Sequence, residues 1–238
     1  FMMTSYDLSK RPGRWRARAV YVQEESSGRT VYEGPVADFV PELMAELIGS
    51  LERDHESPNL VKAAMAHLNL VMVHPFADGN GRMARCLQTM VLARDGLLSP
   101  VFSSIEEYLG RNTPSYYAVL AEVGQGAWHP RNDARAWVRY AVTAHFRQLT
   151  TLLRRTSEVE RVYHELDSIV AKHRLPERTV EALFDAVYGR RVRNATYRAL
   201  IEDQTSEPMH EQTTSRDLRA LTQLGLLEPQ GEKRGRVY

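Results

Sequence analysis

The sequence predicts a mainly α fold, a helical bundle carrying a β-hairpin, followed by a C-terminal winged helix domain. Three observations predict it. A period-two ribbon of β-forming residues lies before residue 33, and apolar residues recur at three- and four-residue spacing from Pro35 to Leu153. The chain then closes with a capped helix and a Gly-rich basic ribbon.

Between Arg14 and Tyr32, Trp15, Ala17, Ala19 and Tyr21 alternate on one side of the ribbon, Glu24-Glu25-Ser26-Ser27-Gly28 is a polar turn, and Thr30-Val31-Tyr32 returns. β-formers on both sides of a Gly/Ser turn predict a hairpin. From Pro35 the period changes, and Val36, Phe39, Val40, Leu43, Leu47 and Leu51 keep the spacing of an amphipathic helix. Asn59 to Val73 is apolar almost all round, which predicts a helix at the centre of the bundle. Pro75 ends it at His74, because a residue before proline avoids helical geometry. A third helix is predicted from Asn80 or Gly81 to Arg94, stopped by Asp95-Gly96.

Residues 104–108, 113–123 and 135–153 read as further helices, with Thr113-Pro114 offering a cap and a first-turn proline. The last of them has Trp137, Tyr140, Ala141, Ala144, Phe146 and Leu149 available for the core and continues to about His173, where Leu175-Pro176-Glu177 breaks it. The predicted domains are residues 1–155 and 156–238. In the second, residues 213–227 form a capped amphipathic helix closed by Gly225, and residues 228–238 form a basic ribbon. A helix followed by such a ribbon is the sequence form of a winged helix-turn-helix.

An apolar share of 43% beside 26% charged residues supports a sizeable core. The formal net charge of +1 gathers neither nucleic acid nor an anionic membrane, so such a partner needs a local patch. There is no run of about eighteen apolar residues to span a membrane. The single cysteine, Cys86, excludes an intramolecular disulfide and a Cys-based zinc site and fits a cytoplasmic location. Its neighbours Ala84, Leu87, Met90 and Val91 predict a packed thiol. The start, Phe1-Met2-Met3, has none of the pattern of a signal peptide and reads as an edited end.

The chemistry concentrates in one loop between two core helices, His74-Pro75-Phe76-Ala77-Asp78-Gly79-Asn80-Gly81-Arg82-Met83-Ala84-Arg85. A Gly-x-Gly at a helix start lets backbone N–H groups converge on an anion at the positive end of the helix dipole. Arg82 and Arg85, three residues apart, pair with phosphate oxygens on the same side. Asp78 beside such a cradle repels its anion unless a hard divalent cation such as Mg²⁺ stands between them. His74, with a pKa naturally near neutrality, takes a proton from an incoming hydroxyl.

This segment resembles the signature of the Fic family, His-x-Phe-x-[Asp/Glu]-Gly-Asn-Gly-Arg-x-x-Arg, with every fixed position matched. The hairpin resembles the family's flap, the helices from Pro35 to Leu153 its core, and the tail an appendage of bacterial members. The resemblance implies a protein adenylyltransferase that moves AMP from ATP to a Ser, Thr or Tyr hydroxyl of a target protein or of itself, releasing pyrophosphate. By position, His74 is then the general base and Asp78 the Mg²⁺ ligand. Phe76 anchors the loop in the core, Gly79, Asn80 and Gly81 bind the α- and β-phosphates, Arg82 contacts the β/γ end, and Arg85 the γ-phosphate.

The flap aligns a target peptide beside Thr30, Val31 and Tyr32 as an added strand. Tyr116 matches a family tyrosine near the adenine, with a core aromatic as the equal alternative. Glycine at 81, where a phosphorylating toxin of this fold has lysine, favours AMP transfer over kinase chemistry.

Many Fic proteins also carry an inhibitory helix, [Ser/Thr]-x-x-x-Glu-[Gly/Asn], whose glutamate pairs with the last arginine of the signature, here Arg85. Ser103-Ser104-Ile105-Glu106-Glu107-Tyr108 and Thr156-Ser157-Glu158-Val159-Glu160-Arg161 approach it without the final Gly or Asn. The helix is therefore expected upstream of Phe1, in a partner antitoxin, or nowhere, and the chain is expected to be active as it stands. The competing reading is a DNA-binding regulator with a Fic sensor core. For it stand Thr213, Thr214, Ser215, Arg216 and Arg219 with Lys233, Arg234 and Arg236; against it stands the balance of acidic and basic residues across the tail. Transfer from UTP or CDP-choline, and removal of AMP, remain open within the enzyme class. A homodimer is expected.

Overall fold

A computed structural model of the chain describes residues 13–23, 28–94, 104–231 and 237–238. It divides into two compact units, Phe1–Leu152 and Leu153–Tyr238. Among the described residues of the first unit the strands are β1 (Tyr21–Gln23) and β2 (Thr30–Glu33), paired antiparallel with Val22 opposite Tyr32. The helices are α1 (Val40–Arg53), α2 (Asn59–Val73), α3 (Asn80–Arg94), α4 (Glu106–Arg111) and α5 (Thr113–Gly124). The division between the units falls within α6 (Arg135–Lys172).

α2 explains its own composition. Ala63, Ala66, Leu70 and Val73 enter one apolar cluster with Val40, Met44, Leu47 and Leu51 of α1 and Val91 and Leu92 of α3. Ala64 and Leu68 enter another with Val119 and Leu120 of α5 and Trp137, Ala141 and Ala144 of α6. A helix buried on two faces cannot be amphipathic, and its alanines let neighbouring helices approach closely. The indole Nε1–H of Trp137 donates to the Ala64 carbonyl at 2.7 Å, so a buried polar group on α6 is satisfied by α2.

Four expectations need correction. The alternation of residues 14–19 does not form a strand, because Arg16 turns this segment onto the loop at 73–75, as described below, and β1 begins only at Tyr21. Cys86 is exposed rather than packed: the buried face of α3 runs through Asn80, Ala84, Gln88 and Val91, and residue 86 lies about 200° around the helix from both 84 and 88. Phe146 is 69% exposed for the same reason, since Trp137, Ala141, Ala144, His145 and Gln148 carry the buried stripe of α6. Thr113 is the first residue of α5 rather than its cap, and its hydroxyl donates back to the Leu109 and Gly110 carbonyls. The stop expected at residues 95–96 and the turn at 24–27 lie outside the described residues.

The second unit contains α7 (Thr179–Val187), α8 (Asn194–Thr205) and α9 (Glu211–Gln223). Their core joins Val180 and Leu183 of α7, Tyr197 and Ile201 of α8, and Leu218 and Leu221 of α9. Gly225, with φ +69, ends α9 in the left-handed region that favours glycine. Gln230 then pairs antiparallel with Val237, and Val192 exchanges two 3.0 Å backbone hydrogen bonds with Tyr238.

Candidate active site

The loop from His74 to Gly79 joins α2 to α3 and is held from three directions. His74 caps α2 in the left-handed conformation, φ 50, with its N–H still bonded to the Leu70 carbonyl at 2.9 Å. Asn80 closes the loop on itself. Its side-chain oxygen accepts from the Phe76 N–H at 2.8 Å and its amide donates to the Phe76 carbonyl at 2.9 Å. Asn80 is buried, so this reciprocal pair fixes the turn ahead of the helix. The phosphate role implied for residue 80 therefore falls to its backbone, the side chain being committed. Gly79 has φ +84, a conformation strained for other residues, and its N–H bonds the Asp78 carboxylate.

The third hold is Arg16, which the sequence reading did not single out. It is only 7% exposed. Its Nε donates to the His74 carbonyl at 2.8 Å, Nη2 to the Pro35 carbonyl at 2.6 Å and Nη1 to the Arg18 carbonyl at 2.9 Å. Its own backbone N–H donates to the Pro75 carbonyl at 2.8 Å. A rigid fork of donors thereby collects carbonyls left over at the end of α2 and the start of the loop. Next to it the Trp15 ring lies 5.2 Å from the Phe76 ring, so Phe76 packs half-buried on the flap side of the loop.

The His74 imidazole accepts a defined protonation. Nδ1 lies 3.1 Å from the Val71 carbonyl and donates to it, which leaves Nε2 as the lone-pair nitrogen. Burial pushes the His74 pKa below its ordinary value, the Val71 hydrogen bond opposing that shift. A neutral imidazole with Nε2 available is the form a general base needs near neutral pH.

Asp78 and Arg82 stand one helical turn apart at 3.5 Å, both about half exposed. Arg85 is engaged on two sides. Its Nε meets Glu106 Oε1 of α4 at 2.8 Å, and it also hydrogen bonds the Tyr116 hydroxyl. A carboxylate therefore does stand on the last arginine of the signature segment, supplied by Glu106, within the first of the two stretches that approach the inhibitory pattern.

Tyr116 is 6% exposed and packs in the core, while Tyr117 beside it is 60% exposed. The Tyr116 hydroxyl bonds His67 Nε2 at 3.0 Å, and His67 Nδ1 bonds Gln88 Oε1. Gln88 Nε2 in turn bonds His145 Nε2 at 2.7 Å. The directions follow from the donor inventory: Gln88 Oε1 can only accept, so His67 carries its proton on Nδ1 and its Nε2 receives the tyrosine O–H. Burial pushes both His67 and His145 down to about 4, so both are neutral. This buried chain was invisible in the sequence, where its members lie 21 to 57 residues apart.

At the hairpin, Thr30 is exposed, Val31 half-buried and Tyr32 buried, with the Tyr32 hydroxyl donating to the Met72 carbonyl at 2.7 Å. Glu33 is bracketed on its other edge by residues 126–128, through Glu33 N to the Gly126 carbonyl at 2.9 Å and Trp128 N to the Glu33 carbonyl at 2.8 Å. The added-strand edge expected of the flap is thus closed at Glu33.

The Fic/DOC family model matches residues 2–92. The chain is 35% identical over 131 residues to the protein adenylyltransferase fic-1 of Caenorhabditis briggsae, across 54% of this chain and 22% of that protein. It is 30% identical over 96 residues to a probable protein adenylyltransferase of Aquifex aeolicus (strain VF5), across 40% of this chain and 28% of that one. The chain thus spans less than a third of the length of these curated relatives. Among solved structures, a Fic family protein from Desulfovibrio desulfuricans G20 superposes with a TM-score of 0.57 at 23% identity, over all of this chain and 64% of that one, a likeness of fold.

Proposed function

We propose that the chain is a protein adenylyltransferase that transfers AMP from ATP to a hydroxyl of a protein. The observation that carries this reading is His74, half-buried and with its proton held on Nδ1 by the Val71 carbonyl, at one end of a loop whose other end carries Gly79, Gly81, Arg82 and Arg85. Nε2 takes the proton of the incoming hydroxyl, whose oxygen attacks the α-phosphorus. The bond from that phosphorus to the bridging oxygen breaks, and pyrophosphate leaves toward the two arginines. The relatives named adenylyltransferases support the assignment of ATP as the donor.

Asp78 would be the protein ligand for Mg²⁺. Among the described residues no group of three or more His, Cys, Asp or Glu side chains stands together to cage a metal. A single exposed carboxylate suits an ion that takes most of its ligands from phosphates and water. Bound there, Mg²⁺ would neutralise charge developing on the pyrophosphate. Thr30 to Tyr32 would take the target peptide along their free edge. Within residues 153–238, α7, α8 and α9 read as a winged helix, with Val192, Gln230 and Val237–Tyr238, linked pairwise by backbone hydrogen bonds, as the elements of its small sheet.

The test is incubation of the chain with labelled ATP and Mg²⁺ and, separately, with a nucleotide mixture read by mass spectrometry. Self-labelling by an adenylyl group that disappears in His74→Ala is the expected result. Labelling that is equal without His74 sinks the proposal, and a uridylyl or phosphocholine mass redirects the substrate.

A further inference from the structure

We propose that the exposed face of α9 is a docking surface for double-stranded DNA, entered through the major groove. Gln212, Arg216, Arg219 and Gln223 are exposed and follow i, i+4, i+7, i+11 spacing, one stripe along about three turns. Arginine and glutamine are the side chains that read base edges in that groove, Arg bidentate to guanine and Gln to adenine. The stripe is about 16 Å long, enough to follow a groove about 12 Å wide. An open depression lined by His210, Glu211, Gln212, Ser215, Arg216 and Arg219 lies along its first turns.

The balance of charge across the tail, which argues against DNA when only the sequence is read, is resolved by where the carboxylates go. Asp217 is 3% exposed and points inward, bidentate on Arg178 at 2.7 and 2.9 Å, with the Tyr197 hydroxyl at 3.3 Å. Asp185 pairs with Arg190 at 3.1 Å, and Glu211 lies 3.9 Å from Arg198. Among the described residues Arg216 and Arg219 have no carboxylate within ion-pair distance. Asp217 and Asp185 are thus tied to other arginines, Glu211 faces Arg198 rather than the stripe, and Arg216 and Arg219 keep their positive charge for phosphates.

A second positive edge adjoins the stripe. The Asn194 amide donates to Ser215 Oγ at 2.8 Å, and its side-chain oxygen accepts from Thr214 Oγ1 at 3.0 Å, which stitches the start of α8 to the first turn of α9. Exposed Arg191 and Arg193 precede that stitch by one to three residues. They stand where the first helix of a helix-turn-helix meets the phosphate backbone. The exposed acids of α8 and its end, Asp203 and Glu207, start nine residues further on, about 14 Å along the helix.

Fluorescence anisotropy of the full chain against a random-sequence 30-base-pair DNA duplex tests the proposal. Binding at 50 mM salt should weaken at least about ten-fold at 200 mM, as counterion release requires. Arg216→Ala/Arg219→Ala should lower affinity about ten-fold at 50 mM and flatten the salt dependence by about two phosphate equivalents. His74→Ala should bind DNA unchanged, which separates this test from that of AMP transfer. No binding at 50 mM, parental binding by the double variant, or equal binding to an RNA duplex of the same sequence pool overturns the proposal, since A-form RNA closes its major groove to side chains.

Discussion

Two arginine–carboxylate pairs of nearly equal length stand in the two units: Arg85 with Glu106 at 2.8 Å, and Arg178 with Asp217 at 2.7 Å. Their surroundings differ. Asp217 is almost wholly buried and takes two guanidinium hydrogen bonds and a tyrosine hydroxyl, whereas the Glu106 side chain is 57% exposed and offers one oxygen. Water competes for the second pair member in one case and not in the other. The buried pair is a structural tie, and the exposed one, on the proposed reading, is a contact that an incoming phosphate can replace.

The largest effect that sharpens this contrast is expected from Arg178→Ala, which strands a buried carboxylate and should cost about 3 to 5 kcal/mol in urea unfolding. Arg178→Met/Asp217→Leu should recover most of it, and a single loss under about 1 kcal/mol would erase the distinction. Acidification probes the first unit instead. His67 and His145 sit near 4 when folded and near 6.5 when unfolded, so the unfolded chain binds more protons between these values. Their stabilising contribution is complete above about pH 6.5 and is lost as pH falls toward 4, on the order of 2 kcal/mol per histidine from pH 7 to 5 by calorimetry.

Tyr116→Phe removes the donor to His67 Nε2 and a partner of Arg85. It should cost about 1 to 2 kcal/mol and weaken ATP binding, read by titration calorimetry. The smallest effect belongs to Glu106→Gln. Stability should change by less than about 1 kcal/mol, while ATP affinity rises two- to five-fold, roughly the worth of an exposed ion pair. A large destabilisation with unchanged ATP binding would place Glu106 with Asp217 rather than opposite it. The same depressed pKa of His74 predicts AMP transfer that is flat above neutrality and falls only below the ordinary histidine value, in a pH–rate profile.

What was legible in the sequence was local. α2 has the bounds that spacing and Pro75 dictate, α3 begins where they place it, and the loop's candidate side chains are contiguous, so their conjunction is visible without a fold. The hairpin was overextended, because period-two patterning describes which residues suit a strand and not whether a partner strand is available to pair. Arg16 and the His145–Gln88–His67–Tyr116 chain could not be found this way. Arg16 is one of three alternating arginines, and the members of the chain are scattered polar residues on helices; their meaning lies in partners up to 58 residues distant. Charge in the tail is illegible for the same reason: a count of acids and bases does not tell that Asp217 is spent on Arg178 in the interior.

Cys86, exposed and alone in the sequence, lies one residue beyond Arg85. It is therefore a ready handle for thiol-directed chemistry: a maleimide fluorophore attached there would sit at a unique address on the outer side of α3. Its emission would register the arrival of nucleotide in real time without any other cysteine having to be engineered away.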